Sequence, residues 1–98
     1  MAGPAFLVHQ VGDHVGVAVR DLSTGEARGE TLDDQSSVTV TLTDEVPLGH
    51  KVALADITAG SDVIEYGLRV AIASQDISKG QHVHTHNVRS ARWQNSVA

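Results

Sequence analysis

The sequence predicts a single, mainly antiparallel β-domain with at most one short helix. The chain has 98 residues, which is enough for one domain with a modest core. Its aliphatic residues are dominated by β-branched valine, with 14 valines against 7 leucines and 4 isoleucines, and this bias favours strands. Apolar and polar residues alternate between glycine-marked turns, and no stretch keeps a helical apolar spacing for three turns. We therefore expect short strands joined by tight corners.

Several segments show the period-2 alternation of strands, in which every second side chain lies on the same face. These faces consist of Val15, Val17 and Val19; Val38, Val40 and Leu42; Val52 and Leu54; and Leu68, Val70 and Ile72. The polar stretch 25–37 lacks this alternation, and we expect a surface excursion there, either a hairpin or a mobile loop. We expect one domain over 1–98, with a core over 6–88 and a C-terminal arm over 89–98 that is polar apart from Trp93.

A short motif of an acid, an aliphatic residue, two further residues and a glycine occurs four times. The copies run from Asp21 to Gly25, Glu45 to Gly49, Asp56 to Gly60 and Asp76 to Gly80. We predict that each copy forms a strand corner, with the aliphatic residue in the core and the glycine in a conformation that other residues resist. The acid is expected to accept hydrogen bonds from turn amides. Chance is the alternative in a chain rich in glycine and aspartate, but four copies favour a small pseudo-symmetric β-fold.

Composition excludes several classes of site and partner. The chain has no cysteine, which excludes disulfides, thiolate metal sites and cysteine nucleophiles. A net charge of −5 argues against non-specific binding to nucleic acid or to anionic membranes. No apolar run is long enough for a membrane span, and the first ten residues lack the basic flank of a secretion signal. We therefore expect a cytoplasmic protein.

Histidine is the compositional anomaly, with six residues in the chain. His82, His84 and His86 alternate with Val83 and Thr85, so on a strand the three histidines would share one face. Neighbouring members would stand roughly 6.5–7 Å apart, close enough for two imidazoles to bind one metal ion together with carboxylates or water. The alternative is a solvated edge strand without a ligand.

A second candidate site is His50–Lys51, which follows the turn residue Gly49 and enters a strand. A lysine beside a histidine can hold an anionic substrate and move a proton, whereas the alternative is an ordinary exposed turn. His9 and His14 flank the first turn, where Asp13 is expected to be a turn residue. We expect His9 to be packed or capping rather than catalytic.

Three segments together resemble one family. They are 46–60 (VPLGHKVALADITAG), 63–67 (VIEYG) and 76–87 (DISKGQHVHTHN). The chain is similar over about residues 6–93 to the N-terminal domain of the altronate/galactarate dehydratase family. The resemblance implies a SAF-type domain with a β-clip fold. The family often has asparagine where this chain has His14.

The resemblance also implies a function. Two-component members, such as sulfolactate sulfo-lyases and split altronate dehydratases, pair a small subunit of this form with a large catalytic subunit. Their chemistry is β-elimination from a 2-hydroxy acid, releasing sulfite or water, with Fe2+ or another divalent metal held mainly by the large subunit. We expect a small subunit, inactive alone, that places a lid over the large subunit's site and can enter a higher oligomer.

Roles carried over with the resemblance fall on six residues. We expect His50 and Lys51 to be catalytic, His82 and Asn87 to bind substrate, and His84 and His86 to bind metal. The competing hypothesis is a non-catalytic SAF module that binds carbohydrate or metal.

Overall fold

The computed structural model describes residues 3–90, which form nine β-strands and no helix. The strands are β1 Phe6–Val8, β2 Val15–Ala18, β3 Gly25–Thr31, β4 Ser37–Leu42, β5 Lys51–Ala53, β6 Asp62–Glu65, β7 Leu68–Ala73, β8 His82–Val83 and β9 Val88–Ser90. No helix capable of crossing a bilayer is therefore found in this part of the chain. The predicted all-β fold is confirmed. Strand β9 extends into the predicted C-terminal arm, and Trp93 lies outside the described residues.

The strands form two sheets. The larger sheet has the order β4-β3-β1-β2-β5-β8, and the smaller has the order β6-β7-β9. All neighbours are antiparallel except β1 and β3, which run parallel, so the domain is mainly but not purely antiparallel. The reason is the route of the chain. Strand β2 returns along one side of β1, and after another reversal β3 passes along the other side of β1 in the same direction.

Two separate clusters of buried side chains hold the sheets together. The first core comprises Ala5, Phe6, Val8, Ala18, Leu22, Val40, Leu42, Val46 and Val52. The second comprises Val15, Ala53, Ile57, Val63, Ala71, Ala73, Ile77 and Val83. Strands β2 and β5 contribute to both cores because successive residues point to opposite faces. These two strands therefore form a wall shared by the two halves of the domain, one half around each core.

The four predicted corners associate as two pairs. The aliphatic residues of the motif are all buried, and Leu22 bonds reciprocally to Val46 through backbone N–H···O contacts of 2.8 and 2.9 Å, as Ile57 does to Ile77 at 2.8 Å. The four motif glycines have φ between +83° and +119°, a region that L-residues rarely adopt. The repeated motif therefore forms two similar pairs of corners, 21–25 with 45–49 and 56–60 with 76–80.

Three of the motif acids cap turn amides, but across each pair rather than within one turn. Asp21 accepts a hydrogen bond from the Leu48 N–H at 2.9 Å, Asp56 from Lys79 at 2.8 Å and Asp76 from Ala59 at 2.9 Å. Glu45 makes no such bond within residues 3–90. The acids therefore fasten one corner of a pair to the other.

The polar stretch 25–37 contains the longest strand, β3, which forms a hairpin with β4. Of the two expectations for this stretch, the hairpin is correct and the mobile loop is wrong. Strand β3 pairs on both sides, and Gly29 lies under the ring of Phe6, where a Cβ atom would come within 2.1 Å of Phe6 Cε2. Backbone pairing and a glycine contact stabilise this strand, and neither produces apolar alternation in the sequence.

Strand β7 is predicted correctly but buries the face opposite to its larger side chains. Ala71 and Ala73 lie in the second core, whereas Leu68 is 67 % exposed and Ile72 is half-buried. Small residues on the inner face allow the three-stranded sheet to approach the shared wall closely. Val19 is likewise 40 % exposed, just beyond the end of β2.

Candidate functional site

The candidate site lies where β5 and β8 meet. These strands are antiparallel, with Lys51 opposite Val83 and Val52 opposite His82. Alternation therefore places His50 and His82 on one face of the pair and Lys51 on the other. The strand ends border an open cavity of 230 Å³, whose rim includes His50, Lys51 and His84. Its aliphatic floor includes Val63, Val70, Ala71, Val83 and Val88.

Each strand of the site starts at a corner glycine. Gly49 precedes His50 and β5, and Gly80 lies two residues before β8. Gly80 packs against strand β4 of the first half of the domain, the half around the first core. A Cβ atom at Gly80 would lie 2.1 Å from the Thr41 carbonyl oxygen. The Thr43 N–H also donates to the Gly80 carbonyl at 3.0 Å. These contacts fix where the histidine segment leaves the corner.

Three histidines form a compact group of potential metal ligands. One ring nitrogen from each of His50, His82 and His84 lies within 4.8 Å of the others. His50 Nδ1 and His82 Nε2 are 2.8 Å apart, so one ring donates a hydrogen bond to the other. The rings of His50 and His84 are stacked with centroids 4.1 Å apart. We call these three residues the histidine group.

Burial and neighbouring histidines favour the neutral imidazole of His82. The pKa of His82 is lowered from its ordinary value, first by burial and then by the neighbouring histidines, with the Asp44 carboxylate opposing the shift. Asp44 also accepts the His82 backbone N–H at 3.0 Å. Since a metal binds the neutral ring, a lowered pKa leaves His82 available as a ligand near neutral pH.

The three alternating histidines do not lie along one straight strand. Strand β8 ends at Val83, and 85–87 form a turn. The ring of His86 folds back to within 5.2 Å of His82, centroid to centroid, and His86 is outside the histidine group. The structure thus joins His84 to His50 and His82, rather than to His86, because the turn ends the alternation that the prediction assumes.

Asn87 holds that turn. Its Oδ1 accepts the His84 N–H at 3.0 Å, and its Nδ2 donates to the His82 carbonyl at 2.8 Å. The residue is only 2 % exposed. Its amide therefore orients two members of the histidine group from beneath.

A second polar group lies on the opposite face of β5, around Glu65. The Glu65 carboxylate is 3.0 Å from Lys51 Nζ and 3.3 Å from His9 Nε2, and the residue is only 5 % exposed. The His9 ring stacks on Tyr66 with centroids 3.8 Å apart, so His9 is packed, as expected. Sequence reasoning missed Glu65. The available signal was an acid two residues after Val63, on the buried face of its strand.

The first turn positions this second group. The buried Asp13 accepts N–H bonds from Gln10 at 3.2 Å, Tyr66 at 3.0 Å and Gly67 at 3.2 Å, which confirms it as a turn residue. His14 Nδ1 accepts the N–H of Ile64 at 3.1 Å. An asparagine oxygen could accept the same bond, so the histidine at this position has a structural role.

The comparisons with known proteins agree with this architecture. The family model of the altronate/galactarate dehydratase SAF domain matches residues 4–91. The chain is 36% identical over 90 residues to (2R)-sulfolactate sulfo-lyase subunit alpha of Chromohalobacter salexigens, covering 90% of this chain and 96% of that protein. It is 42% identical over 60 residues to (2R)-sulfolactate sulfo-lyase subunit alpha of Paracoccus pantotrophus, covering 61% of this chain and 90% of that protein.

A longer relative matches only in part. The chain is 47% identical over 78 residues to altronate dehydratase of Escherichia coli, covering 80% of this chain but 15% of that enzyme. Because the family model spans nearly the whole chain, this protein belongs to the altronate/galactarate dehydratase SAF domain family.

Proposed function

We propose that this chain is the small subunit of a two-component lyase. The reaction is β-elimination from a 2-hydroxy acid, with loss of sulfite from a sulfolactate-type substrate or of water from an altronate-type sugar acid. The observation that carries the proposal is the 96% coverage of a relative that is itself named a lyase subunit alpha. The longer altronate dehydratase, of which the chain covers 15%, supports the same class of chemistry.

The donor set of the histidine group fits a divalent metal. Imidazole nitrogens suit Fe2+ and similar first-row ions, and three lie within 4.8 Å of one another. His50, His82 and His84 would hold the ion, and His50 would then act as a ligand rather than as a proton-transfer group. When bound, the metal supplies Lewis-acid stabilisation to the oxygens of a hydroxy acid.

The other two site residues of this chain, Lys51 and Asn87, bind the substrate or orient the site. Lys51 lines the cavity, where its ammonium can bind a substrate carboxylate. Asn87 fixes the turn that carries His84 and so acts on the substrate only through that turn. A base to remove the proton α to the carboxylate is expected from the large subunit, because the Glu65 carboxylate is buried and paired with Lys51 and His9.

The position of the site at an open edge supports a lid role. His84 is exposed, and the cavity that it lines together with His50 and Lys51 is partly open to solvent. A large subunit docked there would exclude water from a substrate held between the two chains. The isolated chain would then be inactive.

Co-purification tests this proposal. The tagged chain is captured from a lysate of its native cells, and partners are identified by mass spectrometry. We expect a much larger lyase subunit in near-equal amount, and sulfite release or sugar-acid dehydration by the complex. Capture should persist when His86→Ala replaces the wild-type chain. Recovery of the chain alone, or activity of the isolated chain, would contradict the proposal.

A metal-binding module without catalysis is the second candidate. It is favoured by one observation: all three members of the histidine group belong to this single chain. Tight metal binding by the lone chain, with no co-purifying subunit and no lyase activity, would support this alternative.

A further inference from the structure

Glu65 is a buried carboxylate on an otherwise apolar face. Its neighbour on that face of β6, Val63, is 1 % exposed and belongs to the second core. A carboxylate in such surroundings is costly unless it is paired. Here it has two partners, Lys51 Nζ at 3.0 Å and His9 Nε2 at 3.3 Å.

Stability alone does not account for this arrangement. Apolar side chains of similar size often replace a buried ion pair without loss of stability. The pair does have a positional consequence, because Lys51 is the member that reaches solvent. Its side chain is 40 % exposed and lies at the cavity rim, whereas that of Glu65 is 7 % exposed. The carboxylate therefore anchors the ammonium end of a flexible side chain that borders the cavity.

The residues next to Glu65 are themselves held in place. Tyr66 stacks on His9 and has φ +61°, an uncommon conformation for a non-glycine residue. The buried Asp13 holds that conformation by accepting the Tyr66 and Gly67 N–H groups. Contacts thus run continuously from the first turn through the aromatic pair and Glu65 to Lys51.

We propose that Glu65 is a positioning residue that holds the Lys51 ammonium at the cavity rim, where Lys51 binds a carboxylate of the anionic substrate. The identity of the anion rests on the proposed function. The fixing of Lys51 by Glu65 is a property of this chain and can be tested separately.

Competitive acylation of the full chain tests the fixing of Lys51. Lys51 and Lys79 are the two lysines, so Lys79 is an internal reference. Glu65→Gln should raise the Lys51/Lys79 labelling ratio about threefold, which corresponds to the loss of one partly exposed ion pair. If Glu65→Gln does not fold, Glu65→Asp takes its place. This variant keeps the charge but shortens the side chain by one methylene, and it should change the labelling ratio in the same direction.

The matched control is Asp62→Asn, which removes an acid from the same strand. Asp62 is 3.8 Å from Arg69 and its side chain is 53 % exposed. This control should leave the Lys51/Lys79 ratio unchanged. An unchanged ratio in folded Glu65 variants, or an equal change in the control, would overturn the proposal.

Kinetics of the complex with the large subunit test the carboxylate contact. Glu65→Gln should raise KM about tenfold while kcat stays within about twofold, the pattern of lost uniform binding. The double variant with Lys51→Met should be no worse than Lys51→Met alone, because Glu65 acts through Lys51. A fall in kcat at constant KM, or additive effects, would overturn the proposal. A wild-type complex without lyase activity would instead contradict the proposed function, while the acylation ratio would still decide whether Glu65 fixes Lys51.

Discussion

Two of the four corners have only a structural role, whereas the other two lead into the candidate site. After Gly25 and Gly60 the chain enters β3 and β6, which form hairpins with the strands that follow them. After Gly49 and Gly80 it enters β5 and β8, which pair with each other across the two halves of the domain. The corner motif is nearly the same in all four places. The chemistry therefore depends on the few residues after the glycine and on where the following strand finds its partner.

This difference explains how distant residues meet. A hairpin brings together neighbours in sequence, whereas the β5–β8 pairing brings His50 beside His84 and places both at one cavity. The shared wall of β2 and β5 makes this possible, because it gives β5 one face toward each core.

The largest expected effect separates two corner glycines. Gly80→Ala should destabilise the fold by about 3 kcal/mol or more, since it adds a contact with the Thr41 carbonyl to the cost of positive φ. Gly60→Ala, at φ +85° with open space around it, should cost only about 1–2 kcal/mol. Urea unfolding of both variants measures the difference. Equal losses would contradict the tight packing of the site corner against the first half.

The next effect distinguishes the histidine group from the remaining histidine of the segment. Removing one ligand with His50→Ala, His82→Ala or His84→Ala should weaken Co2+ binding about 100-fold. His86→Ala should change it by less than about threefold, because His86 lies outside the group. Calorimetric titration of the full chain gives these affinities. A loss with His86→Ala as large as with His84→Ala would instead indicate that His86 is a metal ligand together with His84.

A smaller effect tests the acids of the two corners that lead into the site. Asp76→Ala removes the cap on the Ala59 N–H and should cost about 1–2 kcal/mol of unfolding free energy. Glu45→Ala should change stability by less than about 0.5 kcal/mol, since it has no equivalent bond in residues 3–90. Thermal and urea unfolding measure both. Similar losses for the two variants would argue that the acids act through general charge rather than through capping.

The smallest effect is a pH dependence specific to the site. The pKa of His82 is lowered in the folded state, so the unfolded chain takes up a proton first as pH falls below about 6.5. The free energy of unfolding should therefore decrease from that pH downward until folded His82 also titrates. His82→Gln should lose less stability than wild type between pH 7.5 and 5.5, measured by urea unfolding. An identical pH dependence of the two proteins would contradict the shift.

The sequence predicts the scaffold better than the site. Buried Ile57 and Ile77, and the positive φ of their glycines, follow from a local motif that repeats. Strand β3 escapes prediction because Gly29 and backbone pairing leave no apolar pattern. The position of each chemical group depends on pairing between distant strands, which no local pattern records.

The site shows the same limit. His50, Lys51, His82 and His84 stand out by residue type and by resemblance, and the structure brings them to one end of β5 and β8. Their grouping depends on a turn at 85–87 that interrupts the alternation. In the sequence, Glu65 resembles any acidic residue of a strand. Its role becomes visible only in the structure, where it is buried and paired with Lys51 and His9.

The most direct test is the rate of product release as this chain is titrated into its purified large subunit. We expect no activity from either chain alone, and an activity that rises and then saturates at a fixed ratio of the two chains. With the histidine group replaced by alanine, the chain should give little or no activity at the same ratio. Full activity of the large subunit alone, unchanged by this chain, would show that this chain is not a subunit of the lyase.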